Sequence, residues 1–112
     1  LDSPEGKEWL AKAELFAKED LGFCKVAEAG KEIKSGAPAR DGKRPVNNPG
    51  GLIAKGHPIG STGTGQIYEI VNQLRGRADT VERQLKNIRY GLTQNVGGSG
   101  AAVAVHVLKA PE

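Results

Sequence analysis

Glycine and proline crowd into one stretch of the chain, and this stretch limits the fold more than any other feature. Between residues 47 and 66, six of the 20 residues are glycine and two are proline. Such a segment cannot form a long helix or a central strand, but its backbone can make tight turns and approach other groups closely. The whole chain has 112 residues, which is room for one domain and not two.

The composition is that of an ordinary globular protein with an uneven distribution of charge. Hydrophobic residues make up 38% and charged residues 26% of the chain. Residues 1–36 carry a balance of −2 and residues 37–112 a balance of +5, which suits an anionic ligand. The one Trp, two Tyr and two Phe are too few for a base-stacking platform, so nucleic acid is not an expected partner.

Several classes of protein are excluded. The longest uncharged apolar run, residues 101–108, is far shorter than the about 20 residues of a membrane helix, so no membrane span is expected. The single cysteine, Cys24, excludes an internal disulfide and a thiolate metal cluster, so we expect no metal site and a reducing, cytoplasmic setting. Because Met is absent, even at Leu1, we expect a trimmed or excised piece of a longer protein.

The apolar spacing predicts two main helices and a β-hairpin. The segments in order are a helix (1–22), a loop-rich segment (23–46), the glycine-rich loop with a core helix (47–76), an exposed connection with at most one helical turn (77–86) and a hairpin (87–108). The first helix is predicted over 4–21, from an N-cap at Ser3 to a stop at Gly22.

Four finer expectations accompany these segments. Within 47–76 the helix is predicted over 61–75, with two glycines in its first turn for close packing, Gly63 and Gly65. Residues 28–44 are predicted to be a surface loop, followed by a short strand at 44–47. The run 101–108 is apolar on both faces, which is typical of a buried strand, and it makes His106 a core histidine.

His57 is the first candidate for chemistry, because it stands between Gly56 and Pro58 just ahead of a predicted helix. A neutral imidazole there can act as a base or a hydrogen-bond donor. The alternative is a loop histidine that only bonds a carbonyl group. No acidic residue lies near either histidine in sequence, and the spacing of metal ligands is absent.

Two glycine-rich segments are candidates for anion binding. Residues 60–65 open a helix and resemble a phosphate cradle, but they lack the ending of a P-loop, so close packing explains them better. In residues 95–100, consecutive glycine N–H groups can form an oxyanion-binding nest or simply a hairpin turn. Cys24 has apolar neighbours, which raise the pKa of a thiol, and we interpret it as structural.

Taken together, these segments resemble the C-terminal part of the thiolases, which are acetyl-CoA acyltransferases. The resemblance covers residues 13–108 and is strongest toward the sterol-carrier-type and archaeal branch. It is carried by Asn47-Asn-Pro-Gly-Gly-Leu-Ile-Ala-Lys-Gly-His-Pro-Ile-Gly-Ser-Thr-Gly63, Gln66-Ile-Tyr-Glu-Ile-Val-Asn-Gln-Leu-Arg-Gly76 and Gly91-Leu-Thr-Gln-Asn-Val-Gly-Gly-Ser-Gly100. It implies an α/β fold that is part of the C-terminal half of a five-layer αβαβα structure, in subunits that form homo- or hetero-oligomers.

The resemblance also implies roles for individual residues. His57 would activate a nucleophilic cysteine and help hold the thioester oxyanion, and Gly97 would offer its backbone N–H to a second oxyanion hole. Asn95 stands where degradative thiolases have an acid/base cysteine. The glycines assigned to the coenzyme A thioester are Gly50, Gly51 and Gly56. Coenzyme A thioester is the implied substrate, and no permanently bound cofactor is expected.

The sequence departs from that branch in one place. The His-Asp-Cys-Phe motif of the branch should fall at residues 7–10, which read Lys-Glu-Trp-Leu. The nucleophilic cysteine of the family belongs to its N-terminal half, and Cys24 is not its equivalent. We therefore expect an N-terminal thiolase segment or a separate catalytic chain as partner, and an inactive isolated chain.

Three hypotheses remain at the level of sequence. The first is a C-terminal segment of a thiolase-like acyltransferase of lipid metabolism, acting on acyl-CoA and 3-ketoacyl-CoA by Claisen condensation or thiolysis. The second is a non-catalytic acyl-CoA-binding or scaffolding subunit. The third, from the residues alone, is an anion-binding α/β module. Alone, the chain is expected to expose apolar surface and to self-associate or require a tight partner.

Overall fold

A computed structural model describes residues 3–111. The side chains of residues 7, 9 and 10 lie outside the described part, and these include Trp9 and Leu10, two apolar residues of the first predicted helix. The elements are α1 (Pro4–Asp20), α2 (Ala29–Lys34), α3 (Gly51–Lys55), α4 (Thr62–Leu74), a 3₁₀ turn (Val81–Arg83), β1 (Tyr90–Gly97) and β2 (Ala102–Lys109). The chain divides into two compact units, one ending at Gly56 and one beginning at His57, where a single domain was expected. Among the described helices, none has the length and apolar character that crossing a membrane requires.

Both ends of α1 are set by the residues expected to set them. The Ser3 side chain accepts a hydrogen bond from the backbone N–H of Gly6 at 3.1 Å, which satisfies one of the free donors of the first turn. At the other end Gly22 adopts a φ of 73°, and its N–H donates to the Glu19 carbonyl at 2.9 Å. Glycine is the usual residue at a helix end with a positive φ, because it has no Cβ to strain the backbone there. The first predicted helix is confirmed.

The packed side of α1 contains an unexpected lysine. Phe16, an apolar residue of the first predicted helix, is 65% exposed, whereas Lys18 is 2% exposed. The Lys18 Nζ atom lies 2.9 Å from Glu14 Oε1, and Asn47 Nδ2 donates to Glu14 Oε2 at 2.7 Å. The Glu14 carboxylate therefore compensates the buried ammonium and also fastens the loop before α3 to α1.

The predicted surface loop over 28–44 contains a helix, α2. Ala29 is 1% exposed, and its N–H donates to the Glu19 side chain at 3.2 Å. Gly30 lies within the first turn without breaking it, and the helix ends only where Gly36 adopts a φ of 77°. Burial of Ala29 against α1 thus outweighs the low helix propensity of glycine.

The strand expected at 44–47 is also absent. The Arg44 N–H donates to the carbonyl of Ala37 at 2.9 Å, so the segment folds back on its own loop instead of joining a sheet. Val26, in the turn after α1, is 84% exposed. The Arg44 guanidinium donates to the Phe23 carbonyl at 2.6 Å and so holds its loop to the turn after α1.

The second unit is a helix packed on a hairpin. α4 occupies almost the whole of the predicted range, 61–75, and ends before Gly76, whose φ is 66°. The connection that follows is held by the buried Gln73 side chain, which donates to the Arg83 carbonyl at 3.0 Å and accepts from the Leu85 N–H at 2.9 Å. The single helical turn expected in 77–86 is the 3₁₀ turn.

The two strands pair antiparallel, with Thr93 opposite His106 and a turn at residues 98–101. The predicted hairpin is confirmed, but β2 is not a buried strand: residues 102–107 are all exposed. His106 is therefore not a core histidine; its Nδ1 lies 3.4 Å from the Oγ1 of the buried Thr93. The reason is that α4 packs mainly on β1 and leaves β2 uncovered.

Candidate functional site

His57 projects from the loop that leads into α4. The residue is exposed, but its ring is held on one side, because Nδ1 lies 2.8 Å from Oγ1 of Thr62. Thr62 is 2% exposed and is the first residue of α4. The imidazole is thus anchored through one nitrogen to a buried hydroxyl, while the residue stays open to solvent.

The turn beneath the histidine is organised by one carbonyl group, that of Pro58. It accepts the backbone N–H groups of Ser61 at 2.8 Å and Thr62 at 3.0 Å, and also the Thr62 hydroxyl at 3.2 Å. These three hydrogen bonds hold the carbonyl in place and order the first turn of α4, and proline also fixes φ at residue 58. The loop therefore has a specific local reason for placing His57 where it does.

Asn95 reaches the same turn from β1. A Cβ on Gly63 would lie only 2.6 Å from the Asn95 Nδ2 atom, so the helix and the amide approach as closely as they do because residue 63 has no side chain. The next turn of α4 is tied to β1 by Gln66, whose Nε2 donates to the Gln94 carbonyl at 2.9 Å. The close packing predicted for Gly63 is confirmed. The close packing predicted for Gly65 is wrong, since a Cβ on Gly65 would have no neighbouring group within 4 Å.

His57 and Asn95 are therefore brought to one place, the N-terminal turn of α4. His57 contacts Thr62, and Asn95 contacts the next residue, Gly63. Gly97 lies two residues beyond Asn95, so the alternation of a strand puts both on the same face of β1. A Cβ on Gly97 would meet only ordinary contacts, 3.5 Å from the Ala102 oxygen, so no packing inside the hairpin requires a glycine there.

The three glycines assigned to the thioester, Gly50, Gly51 and Gly56, belong to the first unit, around α3. Their φ angles are 91°, 62° and 76°, all in the region that favours glycine. A Cβ on Gly50 would also overlap the Cβ of Ala54. Local conformation alone accounts for these glycines, so their assignment to coenzyme A stays a prediction.

Cys24 has the surroundings of a poor nucleophile. It is half-buried after α1, and burial raises the pKa of its thiol above the usual value. The neighbouring carboxylates of Glu32, Glu19 and Glu28 raise the pKa further, and the Lys18 ammonium opposes them. Since the thiolate is the reactive form, the thiol of Cys24 is less reactive than an ordinary one at neutral pH.

Sequence reasoning missed Thr62 as the partner of His57. A threonine at the start of a helix often bonds the carbonyl four residues earlier, and Pro58 stands at that distance, so the signal was present in the spacing. The buried Lys18 was missed as well, because an i,i+4 pair usually lies in solvent.

Residues 8–110 match the Thiolase C-terminal domain-like family. The acetyl-CoA acetyltransferase of Methanothermobacter thermautotrophicus is 46% identical over 93 residues, which is 83% of this chain and 24% of that protein. That of Methanocaldococcus jannaschii is 44% identical over 112 residues, covering 96% of this chain and 28% of the relative. Sterol carrier protein 2 of Bos taurus is 38% identical over 103 residues, 92% of this chain and 19% of its own length.

These relatives include both archaeal and sterol-carrier-type proteins, as the motifs indicated, and the resemblance stated from the sequence is confirmed. The chain spans about a quarter of the length of the archaeal relatives and less of the sterol carrier protein. Because the family match extends over most of the described residues, the chain belongs to the thiolase C-terminal domain-like family.

Proposed function

We propose that the chain supplies the C-terminal part of the active site of a thiolase-like acyltransferase that acts on acyl-CoA and 3-ketoacyl-CoA thioesters. In this proposal His57 is the general base for a cysteine of another segment and a donor to the thioester oxyanion. The observation that carries the proposal is the anchored, exposed imidazole of His57 at the start of α4, the same turn that Asn95 approaches, in a chain of the thiolase family.

The position of His57 supports the two roles. Its Nδ1 is occupied by Thr62, so the other ring nitrogen is the one that can face a reacting group. A neutral Nε2 can take the proton of a thiol, and the resulting imidazolium can donate it back to a developing oxyanion. An imidazole that also bonded a carbonyl through Nε2 could do neither, so the availability of this nitrogen is what the proposal requires.

Gly97 and Asn95 would provide the remaining polar groups. Gly97 has no side chain to cover an approaching thioester, and its backbone N–H is the group expected at a second oxyanion hole. The Asn95 amide can hold a carbonyl oxygen but cannot transfer a proton. The +5 balance of residues 37–112 suits the phosphates of coenzyme A.

The nucleophile would come from a partner, either an N-terminal thiolase segment or a separate catalytic chain. Cys24 is the one cysteine of the sequence, and its thiol pKa is raised rather than lowered. We propose that the assembled protein has the five-layer αβαβα fold of the family and that it is an oligomer. The direction of the reaction, condensation or thiolysis, follows from substrate supply and is not a property of these residues.

The test is reconstitution with a cysteine-bearing N-terminal thiolase segment, followed by assay of acetoacetyl-CoA cleavage. We expect the complex to be active and His57→Ala to lower kcat by about 100- to 1,000-fold or more, since a base and an oxyanion donor are both lost. His106→Ala is the matched control, because this exposed histidine lies on β2, and it should retain activity. An active complex that is insensitive to His57→Ala would contradict the proposal.

A second candidate is a non-catalytic acyl-CoA-binding or scaffolding subunit. It is favoured by one observation: residues 7–10 read Lys-Glu-Trp-Leu and lack the His and Cys of the branch. Calorimetry separates the two candidates. A complex that binds acetyl-CoA but does not cleave acetoacetyl-CoA supports the scaffold, and a complex that does both supports the enzyme.

A further inference from the structure

We propose that Thr62 is a positioning residue whose hydroxyl holds His57 in the tautomer that carries its proton on Nδ1 and leaves the lone pair on Nε2. The catalytic consequence rests on the function proposed above, whereas the tautomer itself does not. The inference comes from two contacts that share a single hydroxyl proton.

The first step is to account for that proton. The Thr62 Oγ1 atom lies 3.2 Å from the Pro58 carbonyl oxygen and 2.8 Å from His57 Nδ1. A carbonyl oxygen can only accept, so the contact with Pro58 is favourable only when the hydroxyl proton points to it. If that proton pointed to Nδ1 instead, two oxygens would face each other at 3.2 Å with no hydrogen between them.

The second step concerns the lone pairs of the hydroxyl. With its proton on the Pro58 side, Oγ1 accepts the Nδ1–H of His57, and both capacities of the hydroxyl are used. Thr62 is 2% exposed, so water cannot replace a hydrogen bond lost here. With the proton on Nδ1, His57 donates to Thr62 and Thr62 donates to Pro58, which makes two hydrogen bonds. With the proton on Nε2, the Thr62 hydroxyl can donate either to Nδ1 or to Pro58, which makes only one.

The third step is the consequence for Nε2. A neutral imidazole with its proton on Nδ1 has an unprotonated Nε2, which is the state a general base needs. When Nε2 takes up a proton, Nδ1–H still donates to Thr62, so the ring keeps its orientation through both charge states. Thr62 therefore acts on the reaction through His57 and not by contact with the thioester.

The tautomer is measured directly by ¹H–¹⁵N correlation of the imidazole rings in the full 112-residue chain, labelled with ¹⁵N, at a pH where the rings are neutral. The sequence has two histidines, so the signals are readily assigned. We expect Nδ1 of His57 to be the protonated nitrogen. An Nε2–H form in the unmodified chain would overturn the inference without any variant.

Substitutions extend the test. Thr62→Val removes the hydroxyl at nearly constant volume and should shift His57 toward the Nε2–H form, whereas Thr62→Ser should keep Nδ1–H. Thr93→Val is the matched control, because Thr93 is also buried and lies beside the other histidine, His106. A Thr62→Val chain whose His57 remains in the Nδ1–H form contradicts the inference. If Thr62→Val does not fold, the unmodified chain and Thr62→Ser still decide it.

The catalytic consequence is tested in the reconstituted complex. Thr62→Val should lower kcat for acetoacetyl-CoA cleavage by about ten- to a hundredfold, the range found when a group that orients a metal-ligating histidine is removed, with little change in KM. Thr62→Ser should restore the rate. An active complex with unchanged kcat in Thr62→Val contradicts the positioning role. A complex that is inactive in every form contradicts the proposed function alone, and the tautomer measurement then decides the inference.

Discussion

At the scale of single residues, local environment separates two side chains that both could do chemistry. His57 is exposed and is held through one nitrogen by a buried hydroxyl. Cys24 is half-buried beside three carboxylates, and its thiol pKa is raised by burial first and by those charges second. The first arrangement keeps a proton acceptor available, and the second keeps a thiol protonated.

Cys24 should therefore react slowly with an alkylating reagent such as iodoacetamide. A raised pKa lowers the thiolate fraction at any pH below it, so at pH 8 the folded chain should be alkylated severalfold more slowly than the same chain in urea. The rate of the folded chain should also begin to rise at a higher pH. Alkylation of the folded chain as fast as that of the unfolded chain would contradict this assignment.

At the scale of elements, glycine allows α4 to lie close to β1. A Cβ on Gly91 would overlap the Cγ2 atom of Ile70, and isoleucine has little freedom to turn away because its χ1 is restricted. By contrast, a Cβ on Gly65, which lies in α4, would have no neighbouring group within 4 Å. One of these glycines is thus required by packing, and the other only weakens the helix.

Two alanine substitutions should accordingly have opposite effects. Gly91→Ala should lower the free energy of unfolding by about 1–3 kcal/mol through overpacking. Gly65→Ala should raise it by roughly 0.5–1 kcal/mol, because alanine loses less backbone entropy in a helix. Urea unfolding followed by circular dichroism measures both. Equal stability of the two variants would mean that Gly91 does not set the distance between helix and strand.

The elements also show which parts of the fold the sequence could predict. α1, α4 and the hairpin were predicted because their signals are local: spacing of apolar residues, a serine cap and glycine stops. α2 and α3 were missed because they have six and five residues, no side-chain cap and internal or adjacent glycine. Their stability comes from tertiary contacts, such as the burial of Ala29, which a local pattern does not contain.

The candidate site was predictable to a similar extent. The resemblance supplied His57, Asn95 and Gly97, and the structure brings the first two to the same turn of α4. The spacing to Pro58 indicated one contact of the Thr62 hydroxyl, but its contact with the His57 ring was not predicted, because that depends on how the loop folds. The exposure of β2 was also not predicted, because its sequence is that of a buried strand and only the packing of α4 shows which strand is covered.

At the scale of the whole molecule, one face of the hairpin is apolar and uncovered. We call it the outer sheet face; it lies opposite α4 and contains Tyr90, Leu92, Val96, Val103, Val105 and Val107, with the polar residues Gln94 and Lys109 among them. Of its valines, Val105 is 47% and Val107 is 66% exposed. Contiguous apolar surface of this kind on a small chain is a site where hydrophobic molecules adsorb.

The isolated chain should therefore increase the fluorescence of an apolar dye such as anilinonaphthalene sulfonate. Val105→Lys places a charge in the centre of the outer sheet face and should reduce the signal severalfold. Val81→Lys is the control, because Val81 is 88% exposed but lies in the connection before the hairpin. Dye binding that is equally sensitive to both substitutions would show that the outer sheet face is not its site.

We propose that this chain assists a nucleophile which it does not itself contain, and acetyl transfer from acetyl-CoA decides whether it does. The complex with a cysteine-bearing N-terminal thiolase segment is mixed with acetyl-CoA, and the intact mass of each polypeptide is measured. Attack of the cysteine on the thioester forms an acetyl-cysteine and releases coenzyme A. We expect an acetyl adduct on the partner, formed much more slowly with His57→Ala, and none on this chain. An adduct on Cys24 would contradict it.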